Sequence, residues 1–418
     1  MQTIQGDSST REPQPPLTSC PVDHTAWPRQ KTARHVEPVG KRIERDAAGV
    51  WHIYGFEEAR AVLRSGDTKQ AGFGAQLFEM FATSRNQGIL YMEGPPHHEQ
   101  RRKTARFFTP KAVSANYRPL MENLSDRLVA DLKRTRRADL SQISFTLAVQ
   151  IAAQVVGLTN SRLRGMENRL ASFFKDAYIM QPGSKPLETI RFMWRQRRFL
   201  GFFFLDVKPA INARRRKPQE DVISHLISQG YNDQEILTEC ITYAAAGMVT
   251  TREFISVAAW HLLEHPELRQ RYLAAPEEER YEILHETLRL EPVIGHLLRR
   301  ATADLSIESS GSTVTIPQGE PIDVHIYAAN ADATIVGEHP LELCPGRKIN
   351  GDNIPSMLMS FGDGHHRCPG AYLAIQETDI LLQRLLAIPG LRIERPPTIG
   401  WMEIGQSYEL RNFILAAD

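Results

Sequence analysis

Cys368 stands in Phe361-Gly-Asp-Gly-His-His-Arg-Cys-Pro-Gly370, with two glycines before it and one after. The apolar pattern from Ala371 to Leu386 behind it is long enough for a helix. At a helix N-terminus, unpaired N–H groups and the helix dipole favour negative charge, so a cysteine placed there is stabilised as a thiolate. A thiolate is a metal ligand. Gly362 and Gly364 supply unusual backbone angles and permit the close approach of a planar group. Two other readings use the same residues. One is a glycine turn ahead of a helix, with a buried free cysteine. The other is a zinc site built from His365, His366 and Cys368, which crowds its ligands into one short turn and lacks a fourth partner nearby.

Three further groups carry chemistry. Pro95-Pro-His-His-Glu-Gln-Arg-Arg-Lys103 opens a helix on two prolines, whose missing N–H groups cost little there. His97 and Arg101 are four apart on one face, which suits a carboxylate; Arg102, Lys103 and Arg106 read as solvated. The apolar pattern from Asn232 to His265 predicts a helix of about 32 residues, roughly 48 Å at 1.5 Å per residue. Asn232 and Glu235 form a capping arrangement and Pro266 ends the helix. Its middle reads Ala244-Ala-Ala-Gly-Met-Val-Thr-Thr251. Gly247 costs the helix about 1 kcal/mol relative to alanine, and small residues on one face leave room for something flat and large. Thr250 can bond back to the carbonyl four residues earlier and open the helix locally. Glu286-Thr-Leu-Arg289 is an i,i+3 ion pair, weak evidence by itself.

The spacing F-G-x-G-x-H-x-C-x-G resembles the haem-binding loop of the cytochrome P450 superfamily, and the other groups follow in that family's order. The resemblance covers roughly residues 48–418. It implies a mainly α fold with small β-sheets: a triangular single domain with haem b between a long central helix and the cysteine loop. It implies Cys368 as the iron ligand, His97, Arg101, Arg299 and His366 on the haem propionates, and Phe361 against the cofactor. The family's oxygen groove, A-G-x-(acid)-T-T, falls on Ala246 to Thr251, with Thr250 hydrogen-bonding bound oxygen. Val249 stands where the family carries an acid. Glu253 could replace that acid in principle, although i+3 on a helix need not face the same groove. Glu286 and Arg289 match a structural triad completed by Arg347, with Leu343 in place of the usual aromatic. Phe78, Phe81, Leu90, Phe174, Ala246, Val293 and Ile294 fall where the family lines its substrate pocket.

The implied activity is haem-thiolate monooxygenation: one atom of O2 enters a small or medium-sized apolar or aromatic substrate, in a role within secondary metabolism. No flavin or ferredoxin segment is recognised, so a separate ferredoxin and ferredoxin reductase are the expected electron donors. Val249 motivates an alternative: a peroxide-driven oxygenase, or a catalyst of coupling, nitration or rearrangement. A haem sensor without turnover is a further alternative.

The chain has 418 residues and a net charge of +1, which gives no reason to expect nucleic acid. No apolar run of about 18 residues predicts a membrane span, and no signal-peptide core is recognised. Cys20, Cys240, Cys344 and Cys368 are scattered, which fits a reducing compartment better than a disulfide framework. The expectation is a cytoplasmic monomer with a polar, proline-bearing tail over 1–33 and one domain over 34–418. Local patterns predict a strand at Val50–Tyr54, a helix at Phe56–Arg64 and helix throughout 115–160. They also predict β-hairpins over 303–327, turning at Ser309–Gly311 and Pro317–Gly319, and another hairpin over Ser407–Ala416.

Overall fold

The computed structural model describes residues 30–33, 40–73, 75, 88–170, 197–198, 200–402 and 405–418. Phe78, Phe81 and Phe174 lie outside these residues, as does most of the expected N-terminal tail.

β1 (Ile43–Arg45) and β2 (Trp51–Ile53) form an antiparallel pair, and α1 occupies Phe56–Arg64 as its amphipathic pattern predicts. β3 (Thr68–Gln70) precedes α2 (Gly94–Thr104), which starts with proline in its first turn. The expected continuous helix over 115–160 is interrupted. α3 (Arg118–Thr135) ends at Arg136, whose backbone is left-handed at φ 56°. β4 (Arg137–Asp139) follows, and the Asp139 side chain accepts from Ser141 N–H to cap α4 (Leu140–Val156). Helical periodicity on both sides concealed a three-residue strand that only its distant partner, near the C-terminus, defines.

The long helix is present, in three pieces. α5 (Asp233–Ala244) begins with a full capping box between Asn232 and Glu235. A π-helical turn spans Ala245–Val249, and α6 (Thr250–Glu264) runs on to His265 and Pro266. The wide turn coincides with the small residues and with Gly247, where the helix has least to lose by loosening its hydrogen bonds. α7 (Glu277–Leu290) leads into β5 (His296–Ala301). β6 (Leu305–Ser309) and β7 (Ser312–Ile316) make the first expected hairpin, with Ser310 and Gly311 in left-handed conformations.

The second expected hairpin does not form. After Pro317–Gly319, β8 (Pro321–His325) pairs with β2 in parallel and β5 antiparallel, in a five-stranded sheet of order β1-β2-β8-β5-β3. α8 (Ile326–Asn330) follows, then α9 (Ala371–Leu386) behind the cysteine loop. β9 (Arg392–Arg395), β10 (Thr398–Met402), β11 (Ser407–Arg411) and β12 (Ile414–Ala416) complete the chain. Ser407–Ala416 is not one hairpin: β11 pairs with β10, whereas β12 joins β4 and β9 in another sheet.

The larger core is built from α3, α4, the long helix, α7 and α9, with Leu132, Leu147, Ile255, Leu284 and Leu381 fully or almost fully buried. A smaller core lies between the five-stranded sheet and α1, around Ile53, Phe56, Val62, Ile322 and Val324. No described helix is long and apolar enough to cross a membrane. Cys240 and Cys368 are free, whereas Cys344 is disulfide-bonded, which its scattered spacing gave no reason to expect.

Candidate active site

The cysteine loop is shaped by its glycines. Gly362 and Gly364 have φ of 69° and 64°. A Cβ on Gly364 would lie 2.1 Å from the Leu63 carbonyl oxygen, so only glycine lets the loop rest on the end of α1. Asp363 accepts from the Gly364 N–H at 2.7 Å and pairs with Arg64 at 2.9 Å, which ties the loop to that helix. The Cys368 N–H donates to the Phe361 carbonyl at 2.8 Å, bringing the loop's two ends together. Gly370 then caps α9. Phe361 is half-buried against the larger core.

Cys368 has accessible surface, yet burial pushes its thiol up, with the Gly370 backbone, Arg101 and Arg367 pulling it back. The zinc reading of His365, His366 and Cys368 does not survive: His365 packs at a tilt against His98, ring centroids 4.4 Å apart, and His366 stacks on His97 at 4.2 Å. Among the described residues, the three do not form a metal-ligating group.

Positive charge gathers near the cysteine loop, where Arg101 and Arg367 act on Cys368. Arg299, on β5, is buried; one of its amine groups donates to Gln70 and, at 3.2 Å, to the Leu298 carbonyl. Burial lowers its pKa to about 10, offset in part by Glu93. Arg101 donates to the Arg367 carbonyl and is also depressed by burial, with Cys368 as a favourable charge. His97 is buried with Nδ1 unpartnered among the described residues. Burial, then His366 and Arg101, drive its pKa down to about 4, so it is a neutral imidazole at pH 7. His366 Nε2 lies 3.0 Å from Glu93, a partner the sequence did not indicate. Two guanidiniums bonded to neutral oxygens, beside an orphaned imidazole nitrogen, form a donor set suited to carboxylates. Together with the sulfur, they fit an iron porphyrin carrying two propionates.

The wide turn of the long helix carries the next group of expected residues. Thr250 Oγ1 donates to the Ala246 carbonyl, the back-bond expected from the sequence. Ala246 is exposed in mid-helix, and a Cβ added to Gly247 would meet only Ala152, at 3.5 Å. Val249 is buried. Glu253 does not replace the missing acid. It is fully buried and turned away, accepting from Leu410 N–H at 2.8 Å and from Arg411 and Arg252 at 2.7 Å. Of the remaining expected pocket residues, Leu90 is half-buried, Val293 is buried, and Ile294 bridges to Ser407 on β11.

Glu286, Arg289 and Arg347 converge. Glu286 accepts two bonds from Arg289 at 2.7 and 2.8 Å, one from Arg347 at 3.2 Å and one from Cys344 N–H at 2.9 Å. Arg289 also donates to the carbonyls of Asn330, Pro340 and Glu342. Leu343 is fully buried beside them. Two residues escaped the sequence reading. Asn330 donates to the Arg289 carbonyl and to Ser360, and accepts from Met359 N–H, joining the triad to the chain that enters the cysteine loop. Glu239 is buried on α5 and accepts from Ile89 N–H at 3.0 Å, and burial pushes its carboxyl up to about 8. A lone asparagine or glutamate carries no spacing by which either could have been found.

The model of the family described as Cytochrome P450 matches residues 49–275 and 281–388. The chain is 27% identical to the biotin biosynthesis cytochrome P450 of Bacillus subtilis (strain 168), covering 87% of this chain and 89% of that protein. It is 26% identical to the mycinamicin IV hydroxylase/epoxidase of Micromonospora griseorubida, over 88% and 90% of the two chains. Among solved structures, P450BioI with acyl carrier protein ligated to hexadec-9Z-enoic acid superposes with a TM-score of 0.73 at 24% identity, over 90% of this chain and 94% of that one.

Proposed function

The chain belongs to the cytochrome P450 family, a family of haem-dependent monooxygenases, and from that premise we propose that Cys368 holds the iron of haem b and that the substrate is a small or medium-sized apolar organic molecule. The observation that carries this reading is Cys368, which keeps accessible surface, beside half-buried Arg101, buried Arg299 and orphaned His97. Haem supplies the activation of dioxygen, with one atom destined for substrate and the other for water. Arg101, Arg299, His97 and the second nitrogen of His366 would hold its carboxylates. Thr250 would position a proton donor at the wide turn. Glu286, Arg289 and Arg347 would keep the cysteine loop in register. Separate ferredoxin and reductase proteins would supply electrons. Val293, Ile294 and Leu90 favour apolar ligands, and the likeness to the mycinamicin IV hydroxylase/epoxidase supports a role in secondary metabolism.

A substrate-library screen for shifts of the haem absorption band, followed by reductant-driven oxidation of the hits, tests this. Hits oxidised only when electrons are supplied support a monooxygenase; shifts without turnover support a sensor. For the cofactor, Arg101→Ala should weaken haem retention markedly. Arg106→Ala should not, because Arg106 is exposed and lies over the Phe107 ring. Haem-release rates to an acceptor protein measure both, and equal, negligible effects would remove the distinction.

A specific observation favours atypical proton handling. The carboxylates of the long helix are engaged elsewhere: Asp233 with Lys208 and Arg215, Glu235 in the capping box, Glu239 through one oxygen with Ile89, Glu253 with Leu410 and Arg411, Glu264 with Trp260 and Lys31. Valine offers no proton. Protons would therefore reach Thr250 from Thr251, from water or from polar groups on the substrate. Wild type should divert much of its reducing power to hydrogen peroxide with a non-polar substrate analogue, and Val249→Asp should recover coupling several-fold. Product formed per reductant consumed is the measurement. Tight coupling in wild type, unchanged by the aspartate, would make Val249 a packing residue.

A further inference from the structure

His296 had no role in the sequence reading, and the structure gives it company. In the five-stranded sheet, His52 on β2 lies opposite Asp323 on β8, and His296 on β5 lies opposite His325 on β8. Asp323 and His325 are two apart on one strand, so they share a face, and their cross-strand partners share it too. Ile53, Ile322 and Val324 point the other way, into the smaller core. Three imidazoles and a carboxylate therefore occupy one patch of the opposite face. Their side chains retain between 11% and 20% of their surface, so the patch is sheltered and still reachable by an ion.

The distances are those of a coordination polyhedron. His52 Nδ1 lies 2.9 Å from His325 Nε2 and 3.7 Å from Asp323 Oδ2, and His325 Nε2 lies 3.4 Å from Asp323 Oδ2. Tetrahedral zinc, with bonds of about 2.0–2.2 Å, holds its ligand atoms roughly 3.3 Å apart. The three observed edges bracket that separation. We propose that His52, Asp323 and His325 form a binding site for a divalent transition-metal ion of the zinc class, with the fourth position open to water or to His296.

The surrounding hydrogen bonds suit the same ion. His52 Nε2 lies 3.2 Å from Asp46 Oδ2, so donation to that carboxylate leaves the Nδ1 lone pair aimed at the centre. His296 Nδ1 lies 3.0 and 3.1 Å from the two oxygens of Asp323, which orients the carboxylate. Without an ion, a proton on His325 Nε2 bridges to His52; the ion takes that proton's place. Two nitrogens and a carboxylate select zinc, nickel or cobalt over magnesium, which prefers an octahedron of oxygens. The site is well placed to matter. His325 immediately precedes α8, whose last residue Asn330 braces the triad and the cysteine loop. His296 opens the strand that carries Arg299 and directly follows Val293, Ile294 and Gly295. A bound ion would tie β2 to β8 at the margin of the proposed pocket, with β5 joined through His296.

The site is independent of the haem reading, and its test does not use activity. Haem-loaded protein is stripped with a chelator and titrated with Zn²⁺ alone by calorimetry. Saturable binding of one equivalent is expected, with a rise in melting temperature because the ion binds only the folded chain. Mg²⁺ should give neither. His52→Gln should weaken zinc binding by about a hundredfold or more, and Asp46→Asn by about 10–100-fold, the usual effect of losing a group that orients a ligand. Both variants should keep the wild-type haem spectrum. His325→Gln should also lose the ion; because His325 is buried at the start of α8, His52→Gln decides if that variant does not fold. Absence of saturable binding in wild type, or equal binding by wild type and His52→Gln, overturns the proposal.

Discussion

Cys368→Ala is expected to abolish reductant-driven substrate oxidation while leaving a folded chain. The loop does not depend on the sulfur. Its closure is a backbone bond from Cys368 N–H to the Phe361 carbonyl, and its course is set by Gly362, Gly364 and the Asp363–Arg64 pair. The substitution removes a single sulfur atom and leaves these contacts in place. The proposed iron ligand, however, disappears entirely, and with it the electron donation that favours O–O cleavage. A fall of about 10²-fold or more in turnover, at least roughly 2.7 kcal/mol of barrier, is the expected scale. Turnover with a surrogate ferredoxin and reductase, read beside a thermal melt, separates chemistry from folding. A folded variant with near-wild-type turnover would remove Cys368 from the mechanism.

Glu286→Ala is expected to give haem-poor, poorly soluble protein. Glu286 is buried, and its two oxygens receive Arg289, Arg347 and the Cys344 N–H. Breaking a buried pair on one side typically costs about 3–5 kcal/mol, because the surviving charge stays buried without its counterion. Domains are stable by only about 5–15 kcal/mol. Arg289 would be left with the carbonyls of Asn330, Pro340 and Glu342. Damage would spread through Asn330 to Ser360 and Met359, and so to the loop that presents Cys368. The melting temperature and the haem-to-protein ratio of the soluble fraction should fall together. A variant of normal stability and haem content that had lost only turnover would instead place Glu286 in catalysis.

These effects trace back unevenly to the sequence. The cysteine loop, the capped long helix and the glutamate–arginine pair were legible because local spacing alone fixes them: glycines where φ is positive, a capping box, an i,i+3 pair. The wide turn at Ala245–Val249 was foreshadowed by Thr250 and Gly247. Strand pairing was harder to read. β4 hid inside a helical pattern, and β8 followed a hairpin-like turn yet paired with β2 and β5, because its partners lie far along the chain. Glu253 illustrates the same limit at the site. Its distance along the helix from Thr250 was plain, but its direction depended on Leu410 and Arg411, more than 150 residues away. The pairing of His52 with Asp323 was invisible for the same reason, since sheet register sets it.

The central claim is that the Cys368 thiolate holds a haem iron. Its most direct test is the absorption spectrum of the purified protein, expressed with haem supplied, then reduced and exposed to carbon monoxide. The account predicts the red-shifted Soret band of a thiolate-ligated iron, absent from Cys368→Ala. A protein that takes up no haem, or whose Soret band is that of a nitrogen-ligated iron and is unchanged by Cys368→Ala, would contradict it.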